Sequence, residues 1–306
     1  EEGKGPGGKA DEEKVKVTEL ALDLIDLIED KDRRAAVVSH WLDKNALPSV
    51  EPGDPCFRLN LFFACLLQSG RKSPTHFVSL LARHRDEIKT LVNSPKMAMR
   101  VMQLCAEFHR EDESRLVTVV GKLLNFAIIH PTQAVKWALG EGYSKEGRRR
   151  WSFVYYEILR NATLRTIQRR RMIASKDLGI DDNGKQRSGL LRFAERQEKN
   201  IILQAFKRFA EMLTELEGEG EGNEAADGDD DAEKSSEHEA LARKEERRHV
   251  LGRMREYGRR FPTEFKRYFS AIQDVVAANP TAVEEVARLA KLIRPQSADD
   301  NNVDPS

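Results

Sequence analysis

Across 306 residues the chain carries 51 Lys and Arg against 51 Asp and Glu, so it has no net field of one sign and is not a basic nucleic-acid coat. Its 40 % hydrophobic residues suffice for a large core or a long layered array. Charged residues at 33 % with aromatics at 7 % suit helices with wide solvated faces and argue against a β-sandwich or barrel.

Residues 1–11 are Gly-rich and polar and predict a disordered leader. A first residue other than Met predicts a piece of a longer protein. No apolar run reaches the roughly 18 to 20 residues of a membrane helix, so a soluble chain with no membrane partner is expected. Leu20, Leu24, Leu27 and Ile28, then Val37, Val38, Trp41 and Leu42, recur at helical spacing. Residues 12–50 therefore read as helices ending a preceding repeat domain, and 51–293 as a helical-repeat domain.

Within that domain a start signal recurs. Asp54-Pro55 opens a helix ending near Gly70, and Ser73-Pro74 opens one with the stripe Phe77, Leu80, Leu81, Ile88 and Leu91. Ser94-Pro95 opens another with Val101, Met102, Cys105 and Phe108, and Asp112 caps a helix carrying Leu116, Val119, Val120, Leu123, Leu124 and Ile128. Pro131 opens a short helix through Trp137 to Gly140, and Phe261-Pro262 and Asn279-Pro280 repeat the device. Proline at the first helical position loses an N–H that had no partner there, and Ser, Asp or Asn before it accepts an orphan donor. Helices joined by such short turns pack antiparallel on their neighbours. The expected fold is an all-α, antiparallel helix-repeat (HEAT-like) α-solenoid.

From Ser144 to Asp177 the helical pattern runs long, Gly179 to Gly184 turns it, and a second helix returns with Ile202, Phe206, Phe209, Leu213 and Leu216. This predicts a long helical hairpin. Residues 217–239 read as an acidic disordered insert, a basic stretch from Arg243 to Arg260 follows, and 294–306 read as a disordered tail.

Catalytic chemistry finds no footing. Gly218, Gly220 and Gly222 alternate with glutamates that would repel phosphate, and no strand precedes them. The seven histidines form no HExxH, and no CxxC is present, so neither metal nor cofactor is expected. Cys56, Cys65 and Cys105 read as buried free thiols of a reducing compartment. Trp41 and Trp137 fall on apolar stripes and read as core. Trp151, directly after Arg148-Arg149-Arg150, reads equally as core or as a half-exposed anchor.

Ser73-Pro74-Thr75-His76-Phe77 with Leu80 to His84, then Ala134 to Leu139, then Tyr156 to Ala162, occur in an order and spacing that resembles the large-subunit family of the nuclear cap-binding complex, in its C-terminal part. Leu27 to Lys31 with Val38 to Asp43 is similar to the stretch preceding that part. The resemblance implies helical-repeat domains similar to the middle domain of initiation factor 4G. It also implies a non-catalytic, nuclear scaffold, extended to shuttling into the cytoplasm. That scaffold would order an RNA-recognition-motif small subunit, meet capped RNA indirectly, and offer surfaces to RNA processing and export factors. The residues chosen for partner contact are Arg149, Arg150, Trp151 and Tyr155, at the hairpin base. Two alternatives stay open: a helical-repeat adaptor of translation or splicing, and direct RNA binding through the basic helices.

Overall fold

A helix start that satisfies its own orphan donors needs few linker residues, and here most starts do so. In the computed structural model, which describes residues 6–30, 36–45, 55–141, 153–176, 189–218 and 230–293, Ser73 Oγ accepts from the His76 N–H at 3.1 Å and Ser94 Oγ from Met97 at 3.3 Å. Asp112 does the same for Arg115 at 2.9 Å and Asn279 for Ala282 at 2.8 Å. Phe261 offers no side-chain cap, and that start rests on Pro262 alone.

The described elements are helices throughout: α1 (Pro6–Glu29), α2 (Ala36–Lys44), α3 (Pro55–Gly70), α4 (Pro74–Arg83), α5 (Arg85–Leu91), α6 (Pro95–Phe108), α7 (Glu113–Asn125), α8 (Pro131–Lys136), α9 (Phe153–Lys176), α10 (Gly189–Gly218), α11 (Asp230–Arg260), α12 (Pro262–Arg267), α13 (Phe269–Val276) and α14 (Pro280–Leu292). A π-helical turn, Trp137–Glu141, follows α8. This is the expected all-α helix-repeat class. The chain divides into two compact units, 1–137 and 138–306, and it passes from one to the other within the π-helical turn.

In the first unit α3 lies against α1, α4 and α6. Leu59, Phe62, Phe63 and Leu66 on α3 are fully or almost fully buried, as are Leu24 and Ile28 on α1. Each such side chain contributes about 1.5–3 kcal/mol by leaving water. Gly70 is required where α3 ends, because a Cβ there would stand 2.5 Å from the Phe77 ring.

α1 is part of the first unit: the Lys72 ammonium pairs with Glu29 at 2.7 Å, and the Arg83 guanidinium donates to the carbonyls of Ile28, Glu29 and Asp30 at 3.2–3.4 Å. Those carbonyls end α1 and have no partner within the helix, so Arg83 caps it from α4. The apolar stripe of α1 would otherwise lie open, which is why it belongs with the helices that follow it. Arg115 on α7 caps α3 likewise, donating to the carbonyls of Gly70 and Arg71.

Other expectations change in detail. The stretch from Pro74 to Leu91 is two helices, broken at His84 (φ −99°, ψ 21°), whose Nε2 stands 3.2 Å from the Ile28 carbonyl. Helical hydrogen bonding extends α1 back to Pro6, inside the expected leader, since propagation adds a bond for each residue ordered. Of the acidic insert, Glu217 and Gly218 end α10 and residues 230–239 lie in α11, so those parts are helical. The rest, 219–229, lies outside the described residues, as does the tail 294–306. Trp137 is fully buried as expected, whereas Trp41 is only half-buried. Cys65 and Cys105 are buried thiols, pushed up to about 12 by burial, and Cys56 is half-buried.

Unit two is built on the hairpin of α9 and α10, closed by α11 to α14. Its centre is aromatic. Tyr257, fully buried, packs edge-on to Phe206, Phe209 and Phe261 with ring centroids at 5.7, 6.1 and 5.0 Å. Its hydroxyl lies 2.8 Å from Thr163 Oγ1, which itself donates to the Leu159 carbonyl, so Tyr257 donates to Thr163.

Leu80 and Leu124 are 0 % and 2 % exposed, so Leu80→Ala and Leu124→Ala are each expected to cost about 2–5 kcal/mol in urea unfolding. A second expectation concerns pH. His84 is buried, with Nε2 on the Ile28 carbonyl and Nδ1 lacking a hydrogen-bond partner, so burial holds its pKa below 6.5 despite that carbonyl. The unfolded chain then takes the proton first. Stability is fully present above about pH 6.5 and falls as the pH drops through that value, and His84→Gln should flatten part of the slope of the urea midpoint against pH.

Candidate partner interface

The hairpin base was the expected contact surface, and its residues part company. Tyr155 is 8 % exposed and packs into the second unit. Arg149, Arg150 and Trp151 lie outside the described residues. The aromatic that does stand open at the start of α9 is Phe153, at 62 % exposure, and sequence reasoning passed it over.

Beside this start runs a groove of about 560 Å³, lined on α11 by Arg248, His249, Gly252, Arg253 and Arg255 with the carboxylates of Glu245 and Glu256. Its charges are largely spoken for. Arg253 pairs with Glu256 at 2.9 Å and lies over the Tyr156 ring at 4.8 Å from its centroid. Arg255 grips the buried Glu285 with two bonds of 2.6 and 2.7 Å. Tyr156 is 5 % exposed and its hydroxyl has no hydrogen-bond partner, and burial, with Glu256 beside it, pushes the phenol up. Among the described residues that line it, the groove holds no nucleophile beside a base.

Several arginines are drawn onto buried carboxylates. Glu198 on α10 is 1 % exposed, yet it faces Arg170 Nε at 2.9 Å, Arg267 Nη1 at 3.1 Å and the Tyr268 hydroxyl at 2.9 Å. Glu264, 2 % exposed, takes Arg171 at 3.4 Å and Arg170 at 3.9 Å. The Tyr268 phenol is pushed up to about 12, by burial first and then by Glu198. Two carboxylates here share one arginine, but they are no acid–base pair, because each is already saturated by guanidinium. The signal for this network was present in the sequence: Glu198 interrupts the inward stripe Leu191, Ala194, Ile201 and Ile202, a position where a carboxylate needs a cation.

Asn279, Thr281 and Arg247 converge on Glu217 at the end of α10, at 2.9, 2.9 and 3.3 Å. Arg208 Nε donates to the Leu139 carbonyl at 2.9 Å, the same capping role that Arg83 has in the first unit. Among the described residues no group of three or more His, Cys, Asp or Glu is placed to hold a metal ion, and no helix is long and apolar enough to cross a membrane.

An all-helical core in which each helix packs on its neighbours defines a helical-repeat domain. The particular family follows from comparison: the model for the family described as MIF4G like matches residues 9–273, so the chain belongs to the MIF4G-like family. That match runs through both units. Nuclear cap-binding protein subunit 1 of Homo sapiens is 24 % identical over 185 residues, 52 % of this chain and 23 % of that protein. Its namesake in Oryza sativa subsp. japonica is 22 % identical over 153 residues (49 % and 17 %), and that of Mus musculus 26 % over 134 residues (42 % and 16 %). These alignments span less than a quarter of the length of the curated relatives.

Removing one partner from a buried ion pair strands the other, so Glu198→Ala is expected to cost about 3–5 kcal/mol in denaturant unfolding. Glu211→Ala, whose carboxylate pairs with Lys207 and Arg208 at a site about half exposed, should cost under about 1 kcal/mol.

Proposed function

We propose that this chain is a scaffold domain of a nuclear cap-binding large subunit, without catalytic chemistry of its own. The observation that carries the reading is the MIF4G-like match over residues 9–273, joined to relatives named as nuclear cap-binding protein subunit 1. The partner in this reading is a small subunit with an RNA-recognition-motif fold. Capped RNA is met through it, RNA processing and export factors dock on the remaining surface, and the protein works in the nucleus and shuttles.

The mechanism is coupled ordering. Helices whose ends are capped by side chains of other helices lose little further freedom when a partner docks on them. The entropy cost of the complex then falls chiefly on the partner's mobile segments, which fold against a prepared surface. Two features of the chain support stiffness of this kind: Arg83, Arg115 and Arg208 on helix-terminal carbonyls, and the paired arginines around Glu198, Glu264 and Glu285.

The same pairs weigh against direct RNA binding as the main activity. Arg170, Arg171, Arg247, Arg255 and Arg267 are engaged by glutamates, and each phosphate contact they made would forfeit an existing ion pair.

The test restores this chain to the full-length large subunit and measures the affinity of the small subunit for a cap analogue with and without it. A gain of tenfold or more, about 1.4 kcal/mol, is the expected result. An affinity unchanged by the large subunit removes the scaffold role.

A further inference from the structure

One end of the α9–α10 hairpin keeps apolar side chains in water. Met172 is 54 % exposed, Leu190 70 % and Phe193 50 %, while their neighbours Ile167, Leu191 and Ala194 are buried. The pairing of Arg170 with Glu198 sets the register, laying the last turns of α9 beside the first turns of α10.

Helical spacing sorts the side chains. Arg165, Arg169, Met172 and Lys176 follow each other at four, three and four residues and share one flank of α9, and Leu190 and Phe193 share one flank of α10. Each flank is displaced in the same rotational sense from its own buried stripe, Ala162, Thr163, Thr166 and Ile167 on α9 and Leu191, Ala194 and Ile201 on α10. In an antiparallel pair of right-handed helices, flanks so displaced look out on the same side. Apolar side chains and cations therefore share that side.

Among the described residues of that flank the charge is of one sign. From Arg165 to Lys176 α9 holds Arg165, Arg169, Arg170, Arg171 and Lys176 and no acid. On α10 the flank of Leu190 and Phe193 continues to Gln197, whereas Arg192 and Lys199 fall on the opposite flank, and the buried Glu198 is committed to Arg170 and Arg267. Arg165 is held below its usual range, by burial first and then by Arg169, so cations crowd each other on this flank.

We propose that this flank, with Met172, Leu190 and Phe193 bordered by Arg165, Arg169 and Lys176, docks an acidic amphipathic peptide segment of a protein partner. Clustered cations call for a polyanion, and the apolar side chains decide which one. Leu190 and Met172 are aliphatic and offer no flat face for a base to stack on, leaving Phe193 alone for that task. An apolar peptide face covers all of them at once, and the spacing of Leu190 to Phe193 matches the anchors that a partner helix presents. The inference goes beyond the scaffold reading and does not rest on it.

The test uses the whole chain and a fluorescein-labelled 14-residue peptide, about four turns long, of Asp and Glu with Leu and Phe on one helical face. Beside it run a scrambled peptide of the same composition and a single-stranded oligouridylate of equal charge. Saturable binding of the ordered peptide, weakened about tenfold or more by scrambling and by the double change Leu190→Ser with Phe193→Ser, is the expected result. These residues are exposed, so the variant's thermal midpoint should match the parent's, and Met172→Gln gives an independent variant. The idea is overturned by equal binding of both peptides, which would show charge attraction alone, or by absence of saturable binding. It is equally overturned if the oligouridylate binds parent and variant alike and displaces the peptide, which would make this a nucleic-acid face. The scaffold reading is judged separately, on cap-analogue affinity.

Discussion

A carboxylate inside a helix layer cannot remain charged unless cations follow it in, and in the second unit that constraint orders everything around it. Desolvating such a group costs several kcal/mol, which geometry and hydrogen bonding must offset. Glu198 meets the demand by drawing Arg170 from α9, Arg267 from the end of α12 and the Tyr268 hydroxyl just beyond it. Glu264 draws Arg171. Since Glu198 itself stands on α10, three helices are tied in one register. Apolar packing alone, which tolerates sliding, would specify that register less sharply. The aromatic cluster about Tyr257 then fills the space so defined.

The helix ends pose the same demand in weaker form. Each helix leaves several carbonyls without partners, and short turns give water limited access to them. Arg83 and Arg115 answer this in the first unit and Arg208 in the second, each reaching from a later helix to an earlier terminus. An arginine fits the role because its planar fork reaches several carbonyls at once, as Arg83 does with those of Ile28, Glu29 and Asp30. Every such bond joins elements distant in sequence.

This explains what could and could not be read from the residues. Helix starts at Pro74, Pro95, Pro131 and Pro280 were legible because the cap and its proline are local chemistry, decided within four residues. Inward stripes such as Leu116, Val119, Val120, Leu123 and Leu124 were legible because periodicity is local too. The break at His84 was not, since its cause is the Ile28 carbonyl 56 positions away. Nor was the grouping of α1 with the helices that follow it, because α1 resembles an ending until it is seen packed on α3. At the candidate interface the gap is wider. Arginine runs look alike whether solvated or buried, and only the position of Glu198, Glu264 and Glu285 on inward faces distinguishes them. Tyr155 illustrates the converse, since a tyrosine beside a basic cluster is indistinguishable in sequence from the core residue it proves to be.

Pairing arginines with buried carboxylates changes what the surface can recognise. A chain with 51 basic and 51 acidic residues could scatter unpaired charge over every face, in which case its encounters would be screened and unselective. Here the cations of α9 split by helical phase. Arg170 and Arg171 are drawn to Glu198 and Glu264, whereas Arg169 remains on the flank that also carries Met172. One turn of sequence thus serves cohesion on one face and contact on the other. A one-residue rotation of α9 would turn part of its buried stripe, Ala162, Thr163, Thr166 and Ile167, toward water, and that cost fixes the phase in which Arg170 faces Glu198 while Arg169 faces out. The stability of the interior and the definition of the surface thus have one physical origin.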